Sequence, residues 1–151
     1  MEPTFRSLVF ADIPAPDYAD MSIVAIPAGA PADPDLWART VFSARSMPWW
    51  VLLAFALREL LAPLIGVPRG SRDVFDVRAV HGEEALLSVD DRHLDFRVGV
   101  GVDPRASLVR VVTAVRLKGW RGRVYFWPVR LAHPLIVDAM LTRAKRRLTA
   151  E

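Results

Sequence analysis

The chain of 151 residues contains no cysteine. Disulfide scaffolds, thiolate zinc sites and thiol nucleophiles are therefore excluded. Histidine is scarce. His81, His93 and His133 stand at no ligand spacing and no HExxH pair is present, so no metal centre is expected. Asp90-Asp91 lacks the remaining ligands of a calcium loop. Nucleotide fingerprints are missing too, because Gly99-Val100-Gly101 sits inside a strand-like stretch with no helix after it. No serine occupies a GxSxG elbow. The first residues show no basic start, long apolar run and small-residue cleavage site, so no secretory leader is expected. These absences fit a cytoplasmic protein that works without a cofactor.

What is present is the balance of a globular domain. Hydrophobic residues make up 52% and charged residues 25% of the chain, too apolar for a disordered one. The length suits a single domain. Residues 1–19 are proline-rich and without period, and read as an N-terminal arm; residues 20–151 read as the domain. One run, Pro48–Gly66, imitates a membrane span, but Arg58 and Glu59 fall near its middle. A central charge costs about 2.5–3.5 kcal/mol on insertion, and the apolar run before it is too short for a bilayer. The run reads as a buried helix, with no integral membrane insertion.

The net charge of +3 conceals an asymmetry: residues 1–104 carry 9 basic and 15 acidic residues, and residues 105–151 carry 11 basic and 2 acidic. The basic residues alternate with apolar ones, as at Arg110, Arg116 and Lys118, or close the last helix at Lys145, Arg146 and Arg147, where positive charge suits the dipole. That pattern describes a solvated face, and no nucleic-acid partner is expected.

Periodicity supplies the elements. Ser22–Ile26 reads as a strand, Asp33-Pro34 as a capped helix start, and Ser46-Met47-Pro48 as the start of a second helix, apolar nearly all round and so central and buried. Val74–Val80, Ala85–Val89, Arg92–Val102 and Ser107–Leu117 read as strands of an antiparallel meander. In the third, Leu94, Phe96, Val98, Val100 and Val102 share one face, and His93, Asp95 and Arg97 the other. Gly119–Gly122 reads as a loop. Pro128 and Pro134 delay the final helix to about Pro134–Leu148, with Ile136, Met140, Ala144 and Leu148 as its stripe. Helices segregated from an antiparallel sheet make the class α+β.

That order resembles the helix-grip fold of the START and polyketide-cyclase-like superfamily (SRPBCC). Three stretches, Pro48–Leu61, Asp90–Val100 and Gly122–Ala144, are also similar to a bacterial family catalogued only as domain of unknown function 2867. Lys118-Gly119-Trp120-Arg121 departs from that family, which more often has a polar pair before Gly-Arg. The resemblance implies a curved antiparallel sheet wrapped around a long C-terminal helix, two shorter helices after the first strand, and a cavity between sheet and helix.

Candidate site residues follow from side-chain chemistry. His133, Tyr125, His93 and Asp95 are the candidate proton-transfer groups, because a carboxylate can orient an imidazole and no thiol competes. Each also has a structural reading, as a cap, a core group or an outward-facing strand residue. Arg58 is either a cavity-facing cation that orients a carbonyl or carboxylate, or half of an ion pair, as a buried guanidinium requires a partner. Trp49, Trp50, Phe55, Phe96, Trp127 and Met140 are candidate apolar walls. Three functions compete. One is a cofactor-free cyclase, dehydratase or isomerase acting on a polyketide-like or other hydrophobic substrate. The second is a non-catalytic domain that binds a lipid or small molecule. The third is a purely structural oligomerisation module, and a homo-oligomer is compatible with all three.

Overall fold

A computed structural model describes residues 7–65 and 76–149. In chain order it contains a one-turn helix α1 (Val9–Asp12), strand β1 (Tyr18–Ala25), helix α2 (Pro34–Val41), helix α3 (Trp49–Leu61), strands β2 (Ala79–His81), β3 (Glu84–Asp90), β4 (Leu94–Asp103) and β5 (Leu108–Leu117), and the long helix α4 (Gly119–Thr149). All pairings are antiparallel, in the order β1-β5-β4-β3-β2. The class is α+β. An open antiparallel sheet laid against one long C-terminal helix, with two shorter helices after the first strand, is a helix-grip-like arrangement.

The alternation in β4 is as the sequence implies. Val98, Val100 and Val102 are buried and pack with Val109 and Val111 of β5, with α2 and with the far end of α4. Within α2, Asp33 caps the helix by accepting from Asp35 N at 3.0 Å. Trp37 is wholly buried, its indole donating to Pro31 O at 2.7 Å. From α4 the stripe Met140–Ala144 enters the same core, flanked by Ile136 and Leu148. Burying each such side chain is worth about 1.5–3 kcal/mol.

On the other sheet face, Val9 and Ile13 pack on Val112 and Ala114. Ser7 Oγ and Leu8 N donate to the buried carboxylate of Glu84, Leu8 at 2.7 Å. The stretch expected to be a periodless arm therefore contributes a helical turn on the sheet and, from Tyr18, the first strand.

Four expectations are corrected. β1 begins at Tyr18, four residues before Ser22. His93 lies in the bend ahead of β4 rather than on the strand face with Asp95 and Arg97. Of the expected strand Val74–Val80, only Ala79 and Val80 belong to a strand, with His81; Val74 and Phe75 lie outside the described residues. The last helix starts at Gly119, so Gly119–Gly122 is its first turn and both prolines lie inside it. A proline removes the bond to the carbonyl four residues back. Those carbonyls belong to Val124 and Arg130, both exposed residues, so the missing donors cost less there than they would in the core. Gly122 sets the crossing: a Cβ there would stand 2.2 Å from His93 O, and that carbonyl also accepts from Lys118 N at 2.8 Å.

The largest correction concerns α3. Only Val51 of its residues is buried. Trp49 is 74% exposed, and Leu53, Leu57 and Leu60 each more than half exposed. The helix is peripheral rather than central. Among the described residues, no helix is long and apolar enough to cross a membrane.

Candidate functional site

α4 passes beneath the edge strand β1, where Tyr18 and Asp20 alternate onto the inner face. His133, at mid-helix, reaches this edge. Its Nδ1 donates to Asp20 Oδ2 at 2.6 Å, and the Tyr18 hydroxyl donates to the same oxygen at 2.5 Å. A carboxylate can only accept, so Nδ1 carries the proton and a neutral His133 keeps its lone pair on Nε2. The three side chains form one array: Tyr18 meets His133 edge-on at 6.0 Å and Phe126 at 5.2 Å between ring centroids. The Arg130 guanidinium lies 5.9 Å from the centre of the Tyr18 ring.

The electrostatics follow from this packing. Burial alone would raise the Asp20 carboxyl, but the hydrogen bonds from His133 and Tyr18 outweigh it and hold the group below its ordinary value. Burial and then the Asp20 carboxylate push the Tyr18 phenol up, so it remains a donor. His133 is 20% exposed and Asp20 13%, which leaves the array reachable from the open edge of the sheet. Across the β1–β5 register from Asp20 stands Thr113. The Thr113 hydroxyl, buried like Asp20 Oδ1, faces that carboxylate and helps to hold it low.

The other candidates lie elsewhere. Tyr125 faces α3, where its hydroxyl accepts from Arg58 Nε at 2.8 Å and its ring lies under the guanidinium. Arg58 also pairs with Glu59, so its partners come from α4 and its own helix rather than from the sheet. His93 is buried beside the start of α4. Asp95 is buried on the outer sheet face, against Arg116 at 2.5 Å and Lys118 at 2.7 Å. Arg97, on that face, binds Asp12 and Asp90. Of the candidate walls, Met140 is core and Phe96 packs against it, whereas Trp49, Trp50, Phe55 and Trp127 are exposed. Val51, Val98 and Met140, from the elements expected to enclose a cavity, pack in one cluster.

Sequence reasoning misses Tyr18, which falls in the arm, and Asp20, which stands just ahead of the strand read from Ser22. The signal was present: Tyr18, Asp20, Ser22 and Val24 alternate at period two and continue the strand backwards. Among the described residues, no three histidine or acidic side chains are grouped as a metal site requires. The model of a family described as "Protein of unknown function (DUF2867)" matches residues 13–140. No curated protein and no solved structure matches.

Proposed function

The chain belongs to that family of unknown function, DUF2867, and from this premise we propose that it binds a hydrophobic small molecule and moves a proton on it without a cofactor. His133 is the base or acid, Asp20 orients it, and Tyr18 is a second donor. The observation that carries this reading is the shared oxygen of Asp20, which fixes the His133 tautomer and leaves Nε2 to exchange a proton. Tyr125, His93 and Asp95 are not needed for the reaction in this reading.

Apolar neighbours support a hydrophobic substrate. Phe126 meets Tyr18 edge-on, Val115 stands beside Tyr18 in register, and Val137 follows His133 by one helical turn. Arg130, over the Tyr18 ring, supplies a cation for a carbonyl or carboxylate on the ligand. The chemistry is of the isomerase, dehydratase or cyclase kind. We also read the fold as START-like and the protein as cytoplasmic, on the element order and the lack of cysteine. The exposed aromatic residues of α3 favour the second reading, in which the chain binds a lipid-like molecule and transforms nothing.

The test starts from what the purified protein carries. Organic extraction and native mass spectrometry should identify a bound hydrophobic compound. Turnover of that compound is then measured with chelator present, for the wild type, His133→Ala and Asp20→Asn. A general acid or base contributes about 10²–10⁴-fold, so His133→Ala should lower kcat by that order. Full turnover in both variants would reduce the pair to a structural contact. Bound compound without turnover selects the binding reading.

A further inference from the structure

Two helices carry stripes of large apolar side chains that the sheet does not cover. On α3 and the turn after it, Trp49, Leu53, Leu57, Leu60 and Leu64 follow one another at three- or four-residue spacing, and each is more than half exposed. On α4, Trp120, Val124, Trp127, Leu131 and Leu135 do the same, opposite the face that packs on the sheet. The Arg58–Tyr125 hydrogen bond joins the two helices. Apolar exposure on this scale, on each helix, marks an interaction surface.

Charge selects the partner. Arg121 flanks the α4 stripe on one side and Arg123 on the other. No acidic residue occurs between Gly119 and Val137. On α3, the one acid, Glu59, is paired with Arg58. A second copy of the chain meeting this face would set arginine against arginine. An anionic bilayer would meet the same arginines with phosphates, and would take the leucines into its acyl boundary and the tryptophans at headgroup level.

We propose that the outward stripes of α3 and α4 form a docking surface for an anionic lipid bilayer, on which the protein lies without spanning it. This rests on surface composition alone and is independent of the chemistry at His133.

The experiment is vesicle co-sedimentation of the full chain, with tryptophan emission read in parallel. One set of vesicles is phosphatidylcholine, and the other contains about one-third phosphatidylglycerol. Binding to the anionic set with a blue shift is expected. It should weaken about tenfold or more on neutral vesicles, or on raising salt to about 0.5 M. The double variant Leu53→Glu/Leu60→Glu and the single variant Trp127→Glu should each lose binding about tenfold or more with an unchanged melting temperature, because these positions are exposed. Absence of binding to both vesicle sets overturns the proposal, as does equal binding to both. A concentration-dependent dimer in sedimentation velocity, dissolved by the same variants, also overturns it and assigns the face to a second copy.

Discussion

Asp20 accepts two hydrogen bonds on one oxygen, from His133 Nδ1 and from the Tyr18 hydroxyl. Such an arrangement stabilises the charged carboxylate against its own burial, and the sign of its pH dependence follows. The folded-state value lies below the ordinary 3.8. Its contribution to stability is therefore complete above the unfolded value and is lost as pH falls through the folded one. Asp95 follows the same rule: burial would raise it, but Lys118 and Arg116 prevail and lower it. Stability measured by denaturant unfolding should thus show no loss from these two groups near neutrality, and should decline once pH falls below about 4. Asp20→Asn should flatten part of that decline; an unchanged acid limb would contradict the assignment. Composition pointed to His133 as a proton-transfer group because so few alternatives exist. It gave no hint of the partner, since a pairing between residues 20 and 133 is created by the crossing of β1 and α4.

Periodicity identifies a helix more securely than it tells what surrounds it. α3 is apolar on nearly every side, a pattern that in water-soluble domains argues for burial. The alternation of β4 carried more information, because a period of two with glycine and charge on one side admits one inner face. The start of α4 was obscured by its prolines, which read as breakers; their exposure resolves the conflict. Two outcomes belong to this scale. Gly122→Ala would bring a methyl against a backbone carbonyl of the bend before β4, which cannot retreat as a side chain could. A loss of about 1–3 kcal/mol or more in chemical denaturation is expected, against near-neutrality if the helix can shift. Arg58→Met removes the hydrogen bond and the charge that hold α3 to Tyr125 while keeping the apolar stem. Hydrogen exchange of α3 amides should accelerate well before that of β4 and β5, with little change in the global transition.

For the molecule as a whole, the sheet has one face under α2 and α4 and the other partly under the N-terminal turn. Glu84 secures that turn by accepting from Ser7 and Leu8, beneath Gly99, where any Cβ would collide with the carboxylate. Pairwise register also has a temporal side. β3, β4 and β5 are neighbours in sequence and can zip together through short turns. β1 cannot: residues 18–25 must wait for residues 108–115. A ribosome emits β1 well before its partner, so a strand bearing Met21 and Ile23 on its outward side stays unpaired until β5 follows. Closing so long a loop adds little to the equilibrium cost but much to the delay. The half-made chain is thereby the form most exposed to wrong pairing, and the protein's yield in a cell depends on how long β1 goes unanswered.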